Sequence, residues 1–355
     1  MKNRDEKELV GVKEIARRAN VSIATVDRVL HKRNGVSLKT KEKIESIIKE
    51  LDYQPNILAR RLASKKVLKL AVLIPEVSAE TAFWQAPLNG ILKAEEEIKR
   101  YGISIEKYFF DQNNIETFEK QTRLILDKRY DGILLAPMFI EESIEFVNTS
   151  KKHGIPYVFI NSDIPNQDSL CYIGPNLYHS GYMGAHLLNY LLNDGEKILL
   201  VNISKEMNTH HHLLRKEEGF RNYFKEHHKK HEVLKIDIRQ TDYPAVERHL
   251  DEIFKKDKEI KAIFVSNSRV SSVARYLEQH ELKDLILIGF DFLPENIEFL
   301  KKDTIDFLIC QKPQEQGYRG IMALYNKLVH NMNTDKVNFM PIDIISRENF
   351  MFYEN

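Results

Sequence analysis

The sequence holds little cysteine and no long apolar run. Its 355 residues include two cysteines, Cys171 and Cys310, which cannot build a disulfide framework and fit a reducing compartment. No stretch approaches the roughly 20 apolar residues that a membrane span needs. The opening residues, MKNRDEKELV, are charged with no apolar core behind them. We therefore expect a cytoplasmic protein without a secretion signal or a membrane partner.

The usual signatures of enzyme chemistry are also missing. The chain has no G-x-x-x-x-G-K-[ST], G-x-G-x-x-G or G-x-S-x-G pattern, the loops of nucleotide-dependent enzymes and serine hydrolases. Two histidine clusters, His210–His212 and the group His227, His228 and His231, lack the spacing and supporting carboxylates of a metal site. We expect no catalytic residue, no metal and no cofactor, although the first cluster could contact a ligand.

The net charge of +1 conceals an asymmetry along the chain. Residues 1–66 hold 17 Lys and Arg against 9 Asp and Glu, so 17 − 9 = +8, and the remainder carries 1 − 8 = −7. A basic head on an acidic body suggests that the head meets a polyanion. The length fits a small domain followed by a large one.

The head contains three short amphipathic segments. The patterns predict helices over Val12–Ala19 and Ile23–Leu30, the second capped by Ser22, and a third helix that starts at Ser37 or Thr40. Apolar side chains recur at helical spacing on the predicted inner faces: Ile15, Ala16, Ala19, Val26, Val29, Leu30, Ile44, Ile47, Ile48 and Leu51. Three helices this short make a small core, which suits a module that also binds through its surface.

Two helices joined by a tight turn are typical of a helix-turn-helix motif. The second helix would enter the major groove, leading with its N-terminal residues. Arg28 could make a bidentate contact with guanine, while Ile23 and Ala24 could touch thymine methyl groups. Hydroxyl side chains that could bind phosphates are Ser22, Thr25, Ser37 and Thr40. The alternative is a solvated face on a small helical bundle.

The run from Val12 to Lys66 contains A-x-x-A-x-V-S, T-V-x-R-V-L and Y-x-P-N-x-x-A-R-x-L in order. It resembles the DNA-binding head and hinge of the lactose-repressor (LacI) family. The resemblance implies a helix-turn-helix domain over residues 1–55 and a hinge helix over 56–66 that orders on DNA. Asn56 could cap this helix, Arg60 belongs to the same motif, and Leu62 would wedge into the minor groove. A plain basic linker is the alternative.

Asp27 departs from the family pattern, which usually has a small hydroxyl residue at this position. A carboxylate near phosphates is repelled unless it accepts from a cytosine amine or pairs with His31, one turn on. The operator sequence is therefore not predictable from the family, although DNA binding is still expected.

From Val67 onward, short apolar strands alternate with amphipathic helices, a pattern typical of parallel βαβ sheets. The predicted strands are Lys69–Ile74, Ile103–Phe109, Gly132–Ala136, Tyr157–Ile160, Lys197–Asn202, Val233–Ile238, Ala262–Val265, Leu285–Gly289 and Phe307–Cys310. We expect a helix after each strand and enough chain for two sheets, with ligands beyond the carboxyl ends of the strands.

Motifs along this region include D-G-I-L-L-A-P, Y-I-G-P-N, I-G-F-D and Q-x-P-x-x-x-G. Their order resembles the type I periplasmic sugar-binding proteins. The implied fold class is an all-α helix-turn-helix head followed by a two-lobed α/β domain of this type with parallel sheets. The predicted lobes are residues 67–174 with 312–340 and residues 175–311 with 341–355, the first carrying a dimer interface.

Residues at predicted strand ends suit a polyol site. Phe83, Trp84 and Tyr243 could cover the apolar face of a sugar ring, although Trp84 and Tyr243 could also be core residues. By family analogy a basic residue enters before Gly219-Phe220, either Lys216 or the adjacent Arg215. Amide and carboxylate groups for hydroxyl pairs belong to Asn161, Asn267, Asp291 and Gln311. Asn267 or Asp291 could instead cap the next helix.

The sequence therefore predicts a DNA-binding transcriptional regulator, expected to be a repressor, controlled by a small-molecule effector between two lobes. The expected effector is a sugar or sugar derivative, and the expected assembly is a homodimer on near-palindromic double-stranded DNA. The alternatives are a regulator that senses a non-sugar polar metabolite and a solute-binding protein without a DNA role.

Overall fold

The structure, a computed structural model, describes residues 11–30, 33–51, 53, 67–78, 82–205 and 211–355. The chain divides into two compact units, residues 1–63 and 64–355. The predicted hinge with Asn56, Arg60 and Leu62 lies outside the described residues, as do His31 and His210. Within the described ranges, no helix combines the length and apolar character that crossing a bilayer requires.

Within its described residues, the head contains three helices: α1 (Val12–Ala19), α2 (Ile23–Leu30) and α3 (Leu38–Glu50). The first two predicted helices are confirmed in their bounds, and the third starts after the N-cap Ser37, whose hydroxyl accepts from the backbone N–H of Thr40 at 3.3 Å. The buried side chains of its core are Ile15, Ala16, Ala19, Val26, Val29, Ile44 and Ile47. The predicted apolar stripes therefore pack together.

The larger unit has two lobes, each built on a sheet flanked by helices. The strands of the first sheet are β1 (Leu68–Pro75), β2 (Ile103–Phe110), β3 (Gly132–Leu135), β4 (Tyr157–Ile160), β5 (Cys171–Pro175) and, late in the chain, β11 (Val337–Met340). They lie in the order β11-β5-β4-β3-β1-β2, with parallel pairing throughout. The helices of this lobe are α4 (Gln85–Ile98), α5 (Ile115–Asp127), α6 (Ile140–Lys152) and α12 (Pro313–His330).

The second sheet is also parallel except for its last strand. Its strands are β6 (Lys197–Ile203), β7 (Val233–Ile238), β8 (Ile260–Val265), β9 (Ile286–Phe290), β10 (Phe307–Cys310) and β12 (Asp343–Ile345). They lie in the order β12-β10-β9-β8-β6-β7, and β12 pairs antiparallel with β10. The helices of this lobe are α7 (Leu177–Leu191), α8 (His211–Glu226), α9 (Tyr243–Lys256), α10 (Val270–Gln279) and α11 (Pro294–Lys301).

The chain passes between the two sheets at three places. The first passage follows β5 at Asn176, the second follows β10 at Gln311 and Lys312, and the third joins β11 to β12 through Pro341 and Ile342. All nine predicted strands occur with bounds shifted by two residues at most. The sequence prediction missed β5, β11 and β12.

One expectation is wrong, because a helix does not follow every predicted strand. The chain between β4 and β5, residues 161–170, forms bends and turns. Pro165 and Asn166, which has a φ of 63° in the left-handed region, lie in this segment. Both residues favour turns over a helix interior.

Helices α7 and α8 cross at a pair of reciprocal glycines. A Cβ added at Gly181 would lie 1.8 Å from the carbonyl oxygen of Lys216, and one added at Gly219 would lie 1.9 Å from that of Tyr178. Only glycine permits this backbone contact. The contact fixes α8 against α7 at the turn that carries Lys216.

Candidate functional site

A cavity lies between the two lobes, beyond the carboxyl ends of several strands of both sheets. Its volume is about 80 Å³, several times the ~10–15 Å³ that one water molecule needs on the same scale. Its lining comprises Phe83, Trp84, Gln112, Asn113, Met138, Asn161, Leu177, Ile203, Ser204, His212, Lys216, Asn267, Ser268, Arg269, Asp291 and Gln311. A small ligand bound there would contact both lobes.

Most of the predicted effector-binding residues meet in this cavity. Those that line it are Phe83, Trp84, Asn161, Lys216, Asn267, Asp291 and Gln311. Arg215 and Tyr243 do not line it. The residues come from separate places in the sequence, and the carboxyl ends of parallel strands collect them at one edge of each sheet.

Lys216 brings a buried ammonium group to the cavity. Its Nζ donates to the backbone oxygen of Ser266 at 3.1 Å and lies 3.5 Å from the centroid of the Phe290 ring. Burial lowers the pKa of Lys216 to about 8, an effect that the charge of Asp291 partly offsets. The amine is therefore placed to donate hydrogen bonds to a ligand while it retains a proton at neutral pH.

Asp291 follows β9 in a left-handed conformation, with a φ of 74°. Asn296, on α11, donates through its Nδ2 to the backbone oxygen of Asp291 at 3.0 Å and to that of Phe290 at 3.0 Å. Burial raises the pKa of the Asp291 carboxyl to about 6, against the charge of Lys216, which lowers it. A buried amide thus holds the backbone so that the carboxyl group faces the cavity.

Side-chain amides connect the passage at Gln311 to both lobes. Gln311 donates from Nε2 to the Ser180 hydroxyl at 2.7 Å, and Gln316 donates to the Gln311 carbonyl at 2.8 Å. The Oε1 of Gln316 accepts from the backbone N–H of Asn161 at 3.0 Å. Through Gln316, these bonds connect the predicted ligand-binding residue Gln311, in the second passage, with Asn161 in the first lobe.

An aromatic pair forms one wall of the cavity. The rings of Phe83 and Trp84 meet edge to face, with centroids 5.1 Å apart. Trp84 is buried and Phe83 is half-buried just before α4. Trp84 therefore belongs to the core and also lines the cavity, and its contact with a ligand stays a prediction. An aromatic face beside polar groups is the combination that binds a sugar ring.

Two predicted contacts require correction. Arg215 pairs with Glu218 and lies over the Tyr178 ring, with 5.5 Å to the centroid. Tyr243 packs against the core of the second lobe, where the Arg275 guanidinium lies 3.8 Å from its ring centroid and Gln279 accepts from its hydroxyl. Helix geometry explains the first error, because neighbouring residues on α8 point in different directions.

The sequence prediction missed several lining residues: Gln112, Asn113, Met138, Leu177, Ile203, Ser204, Ser268 and Arg269. Gln112 and Asn113 follow β2, Ser204 follows β6, and Ser268 and Arg269 follow β8. Their position shortly after apolar strands could have identified them as candidate ligand-binding residues. His212 also lines the cavity, as the alternative reading of the first histidine cluster allowed.

The head exposes one face of α2. Val26 and Val29 are buried in its core, whereas Ile23, Ala24 and Arg28 are exposed. Helical spacing therefore separates the residues that hold the fold from those available to a partner. The structure brings the predicted base-contacting residues together on this face.

The predicted phosphate-binding hydroxyls also cap helices. Ser22 accepts from the backbone N–H of Thr25 at 3.1 Å, and its hydroxyl lies 2.9 Å from that of Thr25. Ser37 and Thr40 repeat this arrangement at the start of α3. The Asp27 carboxylate accepts from Arg33 at 3.3 Å. Such a contact reduces the repulsion that this carboxylate would exert on nearby phosphates.

Comparison with known protein families identifies the family of the chain. Residues 71–331 match the periplasmic binding protein domain, and residues 11–56 match bacterial regulatory proteins of the lacI family. The chain belongs to the lacI family. In this lacI-family chain the helical head is the regulatory-protein part and the two-lobed domain is the binding-protein part.

Relatives of this lacI-family chain include regulators by name. It is 29% identical over 193 residues to the HTH-type transcriptional regulator pepR1 of Lactobacillus delbrueckii subsp. lactis, covering 54% of each chain. It is 34% identical over 142 residues to catabolite control protein A of Staphylococcus aureus, covering 40% of this chain and 41% of the relative. The chain thus spans about half the length of the curated relatives it matches.

Solved structures resemble the two-lobed unit. A Bacteroides fragilis protein described as a LacI transcriptional regulator is 29% identical, with a TM-score of 0.75, covering 81% of this chain and all of that one. The glucose-galactose binding protein GanP of Geobacillus stearothermophilus is 21% identical, with a TM-score of 0.72, covering 80% of this chain and 99% of that one. The second likeness concerns the fold alone.

Proposed function

We propose that this chain is a sequence-specific DNA-binding transcriptional regulator, most simply a repressor, whose DNA affinity is set by a small polar ligand. The observation that carries the proposal is the exposed face of α2, where Arg28, Ile23 and Ala24 point outward from a well-packed head. An arginine at this place suits a guanine edge, and the apolar side chains suit thymine methyl groups. The basic charge of the head supports binding to a polyanion.

The cavity supports a ligand of the sugar class. Phe83 and Trp84 offer an apolar wall, and buried Lys216, Asp291 and Gln311 offer donors and acceptors for neighbouring hydroxyl groups. The relative GanP is by name a glucose-galactose binding protein of the same fold. A non-sugar polar metabolite is the second candidate, favoured by the cationic side chains that the cavity also contains.

Both lobes would contact this ligand, so its binding would favour one relative arrangement of the lobes. A ligand shifts the equilibrium between two arrangements of the lobes only if it binds them with unequal affinity. The chain acts as a regulator if the two arrangements also differ in their affinity for DNA. We further propose that the chain acts as a homodimer in the cytoplasm and that the hinge residues Asn56, Arg60 and Leu62 contact the operator.

The test uses the full-length chain. Genomic fragments that it retains at moderate salt are sequenced, and binding to the recovered site is measured by fluorescence anisotropy with and without mono- and disaccharides, sugar acids and polyols. We expect a salt-sensitive preference for one near-palindromic site and a shift in affinity with at least one ligand. A chain that shows no preference over random duplex would contradict the proposal, and retained ligand binding would then favour a solute-binding role.

A variant pair separates the two halves of the proposal. Asp291→Ala should abolish the ligand response and leave operator affinity near normal, because Asp291 belongs to the larger unit. Asp284→Ala, at an exposed carboxylate before β9, is the control and should respond normally. An intact response in Asp291→Ala would exclude this carboxyl group from the binding site.

A further inference from the structure

A second cavity adjoins the first and differs from it in charge. Its volume is about 620 Å³, and it shares Ser268 and Arg269 with the first cavity. The rest of its lining is Lys205, Arg239, Gln240, Thr241, Asp242, Ser271, Ser272 and Glu295. A ligand held in the first cavity could therefore extend a substituent past Arg269 into the second.

Three cationic side chains enter this cavity from adjacent strands of the second sheet. Arg239 directly follows β7, Lys205 follows β6 by two residues, and Arg269 follows β8 by four residues. Because β8, β6 and β7 are neighbours in the sheet, their carboxyl ends direct all three toward one place. Within the described part of the chain, Arg239 makes no ion pair or hydrogen bond through its side chain.

The described carboxylates that line the second cavity have roles in the fold. Asp242 caps α9, where its Oδ2 accepts from the backbone N–H of Ala245 at 3.3 Å. Glu295 lies in the first turn of α11. Both therefore complement the positive end of a helix dipole. Arg269, in contrast, places a positive charge at the N-cap position of α10, beside the positive end of the helix dipole.

The backbone at the start of α10 is already occupied. The N–H of Ser271 donates to Oδ1 of Asn296 at 3.2 Å, and the N–H of Ser272 donates to the carbonyl of Arg269 at 3.1 Å. Recognition of an anion in this cavity would thus rest on the side chains of Arg269, Arg239 and Lys205. Guanidinium groups suit phosphate and carboxylate oxygens because two N–H groups can bind one anion.

We infer that the ligand is an anionic polyol, with its hydroxyl-bearing part in the first cavity and its phosphate or carboxylate in the second, beside Arg269, Arg239 and Lys205. This inference rests on the proposed ligand-controlled function and narrows the class of ligand. It predicts that a neutral sugar binds more weakly than the same sugar carrying an anionic group.

Matched sets of sugars test the inference on the full-length chain by isothermal titration calorimetry. The sets are D-glucose, D-glucose 6-phosphate and D-glucuronate, and D-galactose, D-galactose 6-phosphate and D-galacturonate. We expect an anionic member to bind at least about tenfold more tightly than its neutral parent, an advantage that falls as sodium chloride screens the charges. Comparison of the phosphate and the carboxylate within a set identifies which anion the second cavity prefers.

Variants then connect the preference to the second cavity. Arg239→Gln combined with Lys205→Gln, at two exposed positions outside the first cavity, should reduce the affinity for the anionic sugar by at least about tenfold. The neutral parent should bind as it does to the unchanged chain. Arg123→Gln, at an exposed residue of α5 in the other lobe, is the matched control and should leave both affinities unchanged.

The outcomes distinguish this inference from the proposed function. Neutral sugars that bind as tightly as their anionic counterparts, and that alter DNA binding, would overturn the anionic ligand and leave the regulator intact. An anion preference that persists in the double variant would also overturn it, because the charge would be recognised elsewhere. Failure of every sugar to bind would count against both the inference and the sugar-class ligand.

Discussion

Lys216 and Asp291 face the same cavity, and each favours the charged form of the other. Burial acts against both charges, and it is the larger effect on each group. The two side chains are therefore charged at a place where burial favours their neutral forms. Their presence is explained if the charges act on a ligand, since functional sites often contain such costly groups.

The pair should make stability depend on pH in a defined way. The raised pKa of Asp291, about 6, contributes stability that is complete below the carboxyl's ordinary pKa and is lost as the pH rises through about 6. The lowered pKa of Lys216, about 8, contributes stability that is complete above the ordinary lysine pKa and is lost as the pH falls through about 8. Between pH 6 and 8 both contributions are missing.

The double variant Asp291→Asn with Lys216→Met should therefore be more stable than the unchanged chain near pH 7, by about 1–4 kcal/mol. This advantage should shrink toward pH 4 and toward pH 10. Urea denaturation of the ligand-free protein at pH 5, 7 and 9 measures it. A constant difference across this range would show that the two groups do not titrate as described.

Arg28→Ala should weaken binding to the selected operator by roughly 1–3 kcal/mol, the range for one bidentate base contact. Binding to random duplex should change less, so the ratio of specific to non-specific affinity falls. Competition gel-shift titrations measure both. Arg123→Ala, an exposed arginine in the larger unit, serves as the control. Equal losses on specific and random DNA would reassign Arg28 to phosphate binding.

Gly219→Ala should disturb the cavity from a distance. The added Cβ would contact the carbonyl oxygen of Tyr178, so α8 must move away from α7, at a cost of about 1–3 kcal/mol. Lys216 would move with its helix and ligand affinity would fall. Thermal denaturation and calorimetry test the two effects. The neighbouring exposed residue provides the control Glu218→Ala, with a stability change below about 0.5 kcal/mol. Unchanged ligand affinity in a destabilised Gly219→Ala would argue that α8 does not set the position of Lys216.

Tyr353 stabilises the second passage between the lobes. The Lys312 ammonium lies 3.9 Å from its ring centroid, and the backbone N–H of Lys312 donates to its hydroxyl at 3.4 Å. Tyr353→Ala should cost about 2 kcal/mol of unfolding free energy, less than the ~3–5 kcal/mol of a fully buried aromatic ring. It should also weaken ligand binding through the adjacent Gln311. Phe352→Ala is the control, because this side chain is 80% exposed. Equal effects of the two substitutions would contradict a specific role for Tyr353.

The amino-acid pattern predicted most elements where burial is strong and local, although it missed the buried β5. Val26 and Val29 repeat at helical spacing, and β4 is a short apolar run buried along its length. The edge strands β11 and β12 were missed because they are short and partly exposed. Their identity depends on pairing with β5 and β10, which lie far away in the sequence.

The choice between Lys216 and Arg215 as the basic residue at the cavity could have been made from the sequence. Leu213 and Phe220 are buried on α8, and Lys216 lies three residues after the first and four before the second. Helical spacing therefore places Lys216, and not Arg215, on the inner face. Tyr243 could not be placed in the same way. Its position depends on Arg275 and Gln279, which belong to another helix and carry no local signal.

The three chain passages between the sheets restrict how the lobes can move. Three short connections allow one lobe to swing about them, but they oppose sliding of one lobe along the other. Opening and closing of the two lobes is then described by one angle, the rotation of one lobe relative to the other. Ligands of different bulk would stop the swing at different angles, so under the proposed function related metabolites would produce graded transcriptional outputs from one binding site.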